Sequence, residues 1–516
     1  MTRTRQPRDD DTVADDRVER ERMENVRPVD WRNPLPKQRY DLVVIGAGTT
    51  GLVAARIAAA KGAKVALVER HLLGGTCLNI GCVPSKAIIR TSRVYAEMHD
   101  ADQYGALVPP RIPTDFARAM RRVRDIRARI SRSDSAQRLT AAGVDVFFGQ
   151  AAFAGVDALT VKDATLRFRR ALVATGARPD FPSIPGLAEA GYLTNESAFE
   201  VSEAPRRLLV IGGGPLGCEM AQAFCRFGVQ TTIVQKRPLF LPREERDAAQ
   251  ILSDAFAREG IEVRLNTRVV NVRAAGGEKI VDLVSDDYES TVTVDAVLAG
   301  TGRVPNIDGL ALEAAGIDYD TRHGVHVDDF LQTSNRRVYA AGDACLAHKF
   351  NDTADASARI AVQNALFRGR QRLSALTVPW CTYTDPEIAH VGLYVRQARE
   401  RDIPVETFTI PMHEVDRAIA DDEEVGFVKI TVKERTDRIL GATIVARHAG
   451  EMISEITVAI VARIGLRTLA HVIHPYPTQA EAIKKAADAC VRAGAMSRAQ
   501  HPAASAVEDV SRIRPR

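Results

Sequence analysis

The sequence predicts an α/β protein with two similar nucleotide-type units, followed by a region of α+β texture. Three observations carry this. Gly46-Ala-Gly48-Thr-Thr-Gly51 follows an apolar strand-like run at 41–45. Gly212-Gly213-Gly214-Pro215-Leu216-Gly217 follows another at 207–211. After about residue 376, short strands near 406–410, 426–432 and 441–446 alternate with helices near 451–464 and 479–493. A chain of 516 residues is also too long for one hydrophobic core.

The first unit is a complete pattern of strand, glycine turn, Ala-rich helix to about Lys61, second strand at 64–68, and the acid Glu69. Gly46, Gly48 and Gly51 suit a tight turn and the close approach of a pyrophosphate, which the helix N-terminus attracts. Glu69 is placed to accept hydrogen bonds from a ribose. In the second unit the strand at 230–234 ends at Gln235, followed by Lys236 and Arg237, with Arg243 further on. The glycines Gly212, Gly214 and Gly217 repeat the turn. Glu69 would repel a 2′-phosphate, whereas Gln235 with its basic followers tolerates one, so the second site leans to NADPH, with NADH remaining open.

Cys77 and Cys82 lie in Gly-Gly-Thr-Cys-Leu-Asn-Ile-Gly-Cys-Val-Pro-Ser-Lys, residues 74–86. One helical turn between them lets the sulfurs pair. So short a loop constrains little of the unfolded chain, so the pair reads as a redox centre rather than a staple. The alternatives are two structural cysteines or half a metal site, but no further Cys or His follows at short spacing. The other cysteines, 218, 225, 345, 381 and 490, are scattered, which fits a reducing compartment. Two short segments, 174–179 (Ala-Thr175-Gly176-Ala-Arg-Pro) and 300–306 (Gly-Thr-Gly302-Arg-Val-Pro-Asn), look like exits from one nucleotide domain to the next. Val-Tyr-Ala-Ala-Gly-Asp343 is a strand ending in an acid that suits a ligand hydroxyl.

Hydrophobic and charged contents of 45% and 26% are those of an ordinary globular protein, and a net charge of +4 gives no argument for nucleic acid or a membrane surface. No apolar run approaches the roughly 20 residues of a membrane span. Residues 1–37 lack the apolar segment of a signal peptide, and their acidic residues argue against a transit peptide, so a cytoplasmic location is expected. Residues 1–25 are expected to be disordered, and 26–37, with Trp31 and three prolines, to form an extended arm on the body.

With these motifs in order, the sequence from about 38 to 495 resembles the flavoprotein pyridine nucleotide–disulfide oxidoreductases, which include dihydrolipoyl dehydrogenase, glutathione reductase and mercuric reductase. The resemblance implies FAD at the first fingerprint, NADPH or NADH at the second, and a homodimer whose C-terminal domain completes the partner's site. The expected domains are 38–187 and 311–375 (FAD), 188–310 (NAD(P)) and 376–497 (dimerisation), with a disordered tail at 498–516. The resemblance places Gly75, Thr76, Lys86, Thr175, Gly176 and Asp343 along FAD, and Gly302 beside NAD(P). It implies that electrons pass from NAD(P)H through the flavin to a Cys77–Cys82 disulfide, with Cys82 nearer the flavin and Cys77 meeting the acceptor. Lys86 and Glu219 match the family pair beside the flavin, where a cation favours the reduced, anionic ring.

The C-terminal motif departs from the disulfide-reducing members. It reads His474-Pro475-Tyr476-Pro477-Thr478-Gln479-Ala480-Glu481. Those members carry His immediately before Pro-Thr; here Tyr476 stands there, Glu481 is kept, and His474 lies two residues earlier. An imidazole accepts a thiol proton at neutral pH, but a phenol with a pKa near 10 does not. Mercuric reductases carry Tyr at this place, which favours a mercuric-reductase-like oxidoreductase acting on Hg(II) or a related small-molecule or metal-ion acceptor. Their vicinal C-terminal cysteines and N-terminal Cys-x-x-Cys do not occur in this sequence, and Cys490 reads as a packing residue. The competing readings are a dihydrolipoyl dehydrogenase with His474 as base, and a non-catalytic redox-sensing flavoprotein.

Overall fold

The computed structural model describes residues 9–109, 112–286 and 288–500. The chain divides into two compact units. One comprises the residues up to Leu241 together with Phe256–Leu376; the other comprises Pro242–Ala255 and the residues from Thr377.

In chain order the first unit begins with α1 (Asp9–Val26), β1 (Tyr40–Ile45), α2 (Thr49–Ala60), β2 (Val65–Glu69), α3 (Gly75–Ile80), α4 (Cys82–His99) and α5 (Phe116–Ser131). It continues with β3 (Val144–Phe148), β4 (Ala151–Gly155), β5 (Ala158–Val161) and β6 (Ala164–Val173). The sheet order is β3-β2-β1-β6-β5-β4, and the short strand Val338–Ala340 also pairs with β6. Strands β3, β2, β1, β6 and Val338–Ala340 run parallel, and their central stretches, 42–45, 65–68 and 171–173 among them, are buried on both faces and read as short apolar runs. Leu42, Val44, Leu67 and Val146 face one core, with Ala54, Ala55 and Ala58 of α2 packed on them. Val43, Ile45, Ala66 and Phe147 face the other.

A second parallel sheet takes the order Glu262–Arg264, Gln230–Val234, Arg207–Ile211, Ala296–Ala299. The helix Pro215–Arg226 follows its glycine turn. The later unit is an antiparallel five-stranded sheet in the order Pro379–Thr382, Glu387–Gly392, Ile439–Ala446, Phe427–Lys433, Val405–Pro411. Helices Ala449–Val461 and Glu481–Gln500 share its core. Cys490 is buried there with Ile483 and Ala486, as a packing residue would be.

Two expectations are corrected. Residues 9–26, covering most of the stretch 1–25 expected to be disordered and the first residue of the expected arm, form α1. Its polar side chains find partners on the body: Asn25 donates to Ser131 Oγ at 3.0 Å, and Arg132 Nε donates to Glu21 at 2.6 Å. Val26 is fully buried. Residues 242–255, expected inside the NAD(P) domain, group with the later unit. The reason is Glu244, buried under two donors, Tyr394 Oη at 2.6 Å and Trp380 Nε1 at 3.2 Å. Of the tail expected at 498–516, residues 498–500 continue the last helix, and 501–516 lie outside the described residues, as do 1–8.

The arm after α1 lies along β3. Trp31 Nε1 donates to Val146 O at 3.2 Å, and its ring meets Phe148 edge-on at 5.8 Å. Asn33 both accepts from Phe148 N (2.8 Å) and donates to Phe148 O (3.1 Å).

Candidate active site

The two cysteines sit on separate helices. Cys77 belongs to α3, Cys82 opens α4, and Gly81 is the joint between them, with φ −140° and ψ −109°. A Cβ at Gly81 would fall 2.9 Å from Thr76 O, so only glycine permits this sharp junction. The two sulfurs are unbridged and adjacent, so that in the dithiol form the Cys77 thiol can donate to the Cys82 sulfur. That bond, with Lys86 and Arg303 nearby, lowers Cys82 to about 7 against the opposing effects of burial and Glu219. The N-terminus of α4 favours a thiolate in the same sense. Cys77, the donor, is held protonated far above the usual thiol range, with burial adding to the effect and the Thr49 hydroxyl opposing it.

Lys86 is one turn along α4 from Cys82. Its Nζ meets Glu219 Oε2 at 2.8 Å, and the Glu219 side chain is 4% exposed. Two elements with no sequence proximity, α4 and the helix Pro215–Arg226, thus bring together the pair expected from the motifs.

At the end of β1, Gly46 has φ +101°, and a Cβ would fall 2.4 Å from Ala174 O. Gly48 and Gly51 open α2, with Gly75 against Gly48. Glu69 is buried at the end of β2, where its carboxylate accepts from Ala47 N and His71 N, both at 2.7 Å. Burial raises its pKa, opposed by those two bonds. Gly46, Glu69, Gln150, Thr175 and Asn306 line a cleft at the strand ends, the location where open α/β sheets bind nucleotides. Gly176 and Thr175 sit beside Asn306, whose Nδ2 donates to Thr175 O at 3.0 Å. This cradle, too tight for a side chain and ending in a buried carboxylate, fits the pyrophosphate and ribose of FAD.

Asp343 is paired with Arg303. The guanidinium donates to Asp343 Oδ2 (2.6 Å), to Ala177 O (2.8 Å) and to Thr76 Oγ1 (3.3 Å), while its buried Nε has no partner among the described residues. Burial raises the Asp343 pKa, and Arg303 opposes the rise. Neither Arg303 nor Thr49 stands out in the sequence. Arg303 lies in the segment read as a domain exit, beside Gly302, and its partner is forty positions away.

The second glycine turn copies the first. Gly212 has φ +106°, with a would-be Cβ 2.5 Å from Gly300 O, Gly217 packs under it, and Gly214 faces open space. Gln235 Oε1 accepts weakly from Gly213 N at 3.4 Å. Lys236 and Arg237 are exposed just after the strand end, and Arg243, in the later unit, is also exposed. The turn and its open glycine fit a second dinucleotide.

The structure describes the C-terminal motif separately. Tyr476 is 71% exposed, and its Oη donates to Asp416 Oδ2 at 2.8 Å, a bond that raises the phenol further. His474 has both ring nitrogens against acceptors: Nε2 meets Glu455 Oε1 at 3.0 Å, and Nδ1 meets Val472 O at 3.2 Å. Glu481 starts the last helix, with its Oε2 buried and unpartnered among the described residues.

A family model described as pyridine nucleotide-disulphide oxidoreductase matches residues 40–365. The chain belongs to this family. A second model, the dimerisation domain of the same oxidoreductases, matches residues 378–487. The oxidoreductase is 33% identical over 448 residues to mercuric reductase from Staphylococcus aureus, covering 87% of this chain and 82% of that protein. It is 32% identical over 463 residues to dihydrolipoyl dehydrogenase from Thermus scotoductus, covering 87% and 97%. Among solved structures it resembles the Cu(II) complex of the HOCl-induced flavoprotein disulfide reductase RclA from Escherichia coli, with a TM-score of 0.78 and 28% identity over 86% of this chain and 98% of that one. The oxidoreductase is therefore an enzyme of a family that uses FAD and NAD(P)H. Among the described residues no helix is long and apolar enough to cross a membrane.

Proposed function

We propose that this oxidoreductase reduces a soft metal ion carried by small thiols, with Hg(II) as the leading candidate, using NAD(P)H and the Cys77/Cys82 pair in a homodimer. The observation that carries the reading is the C-terminal motif. The residue at the family's proton-accepting position is Tyr476, a phenol raised further by Asp416. The nearby His474 has its ring nitrogens engaged within its own unit, Nε2 at Glu455 Oε1 and Nδ1 at Val472 O, rather than held open toward a thiol.

Metal exchange needs no such base. Cys77 and Cys82 displace two small thiolates from the metal: two enzyme S–metal bonds form, two carrier S–metal bonds break, and the cysteine protons leave on the released thiols. Cys82, ionised near neutrality, starts the exchange. Cys77 lines a cleft with Thr49, Leu52, Arg56, Asp134 and Asn351, and brings the second sulfur. The Gly46–Gly51 turn, Glu69 and Asp343 would hold FAD, which when bound would supply two-electron exchange between NAD(P)H and this site. Lys86, fixed by Glu219, places a cation one turn from Cys82. The overall change is NAD(P)H + Hg(II) to NAD(P)⁺ + H⁺ + Hg(0). Two relatives support the choice of acceptor: one is named mercuric reductase, and a similar reductase was solved as a Cu(II) complex.

The test is anaerobic NADPH oxidation with thiol-complexed Hg(II), Cu(II) and lipoamide in parallel. Turnover with a metal, lost in Cys77→Ser, supports the proposal. Efficient lipoamide turnover lost in His474→Ala would replace it with the dihydrolipoyl dehydrogenase reading.

A further inference from the structure

The turn between the two sulfurs is held by polar side chains from three distant parts of the chain. Because Gly81 breaks the helical path, the carbonyls at the end of α3 lack the helical partners that a continuous helix would give them. Arg127 Nη1 donates to Asn79 O at 2.9 Å, and Asn195 Nδ2 donates to Ile80 O at 3.2 Å. The Asn79 side chain ties the turn to its own base, donating to Leu73 O (3.0 Å) and Gly75 O (2.9 Å). Its Oδ1 accepts from Arg22 Nη1 at 2.6 Å.

Arg22 comes from α1, the helix that the sequence does not announce. It is 7% exposed and Asn79 is 4% exposed, so the contact is made away from water. The outer side of the guanidinium is held by Glu19, including Nε to Oε2 at 2.9 Å. Burying a guanidinium is costly unless its hydrogen bonds are well made, and a general seal of the core would be served better by an apolar side chain. Here the guanidinium is divided between the Glu19 carboxylate on the outer side and one buried side-chain oxygen on the inner side, that of Asn79, two residues beyond Cys77.

We propose that Arg22 is a positioning residue for the dithiol: through Asn79 it holds the turn closed, so the N-terminal helix sets how readily Cys77 and Cys82 reach each other. With the turn held, the Cys77 thiol stays within hydrogen-bond reach of the Cys82 sulfur. With it released, the sulfurs drift apart, the intramolecular disulfide becomes less favourable and the Cys82 thiolate loses its donor.

The experiment uses the full-length holoenzyme and compares Arg22→Met with Asn25→Ala, which severs α1 from Ser131 without touching the turn. The first readout is the ratio of Cys77–Cys82 disulfide to dithiol, by mass shift, in buffers of reduced and oxidised dithiothreitol. The second is the pH midpoint for alkylation of Cys82. Arg22→Met is expected to lower the disulfide-to-dithiol ratio about fivefold, the equivalent of one net hydrogen bond, and to raise the alkylation midpoint, while Asn25→Ala moves neither. Arg22→Met matching wild type in both readouts, or Asn25→Ala shifting them equally, overturns the proposal and leaves α1 a structural element. Should Arg22→Met not fold, Glu19→Gln, which loosens Arg22 from the solvent side, must shift both readouts in the same direction; no shift overturns the proposal equally.

Discussion

A thiol that ionises near neutrality gives position 82 a direct experimental handle. Alkylation of the reduced protein at Cys82 is expected to rise through a pH of about 7. In Lys86→Gln the midpoint should move up by about one pH unit, because a cation that favours the thiolate is gone. The sign carries over to stability. The folded pKa lies below the ordinary 9.0, so between about 7 and 9 the unfolded chain binds more protons at Cys82. Its contribution to stability is therefore full above that window and is lost as pH falls through 7. A second prediction concerns the exposed cations after Gln235. If they read a 2′-phosphate, Lys236→Glu combined with Arg237→Glu should lower the NADPH-over-NADH preference in kcat/KM by about tenfold, roughly one charge-assisted hydrogen bond. An unchanged ratio would mean that these side chains are merely solvated.

At the scale of elements, the two glycine turns make separable predictions. Gly212→Ala puts a side chain at φ +106° and 2.5 Å from Gly300 O. It should weaken NAD(P)H binding by tenfold or more, since the distortion costs about 1–3 kcal/mol, yet leave the protein yellow with flavin. Loss of both cofactors would show that the two cradles are not independent. In the later unit, Tyr394→Phe removes a 2.6 Å donor from buried Glu244. It should lower stability in denaturant titration by about 1.5–3 kcal/mol, the range for a hydrogen bond to a charged group. These same elements show what was legible beforehand. The strand at 207–211 and its glycine turn could be read because burial on both faces and a forbidden Cβ leave local marks. The Lys86–Glu219 pair could be reached only through motif resemblance. Arg303, Arg22 and Arg127 could not be reached, because an arginine's role depends on what stands opposite it, and Asp343, Asn79 and Glu200 lie far along the chain. Helix α1 was missed for the same reason: a strongly charged stretch looks solvated until its partners on α5 and beyond are known.

For the molecule as a whole, the arm that follows α1 matters in a way unrelated to electron transfer. Strand β3 ends the order of the first sheet, and its free side would present unpaired N–H and C=O groups. Trp31 and Asn33 occupy Val146 O and both backbone groups of Phe148. They act as a guard against strand addition by a neighbouring chain, the usual hazard of an uncovered border. Removing residues 1–37 should therefore promote self-association in light scattering, beyond any loss of stability, and Asn33→Ala together with Trp31→Ala should do so in smaller measure. Trp31 and Asn33 are thus expected to keep the folded protein from templating its own aggregates at cellular concentrations.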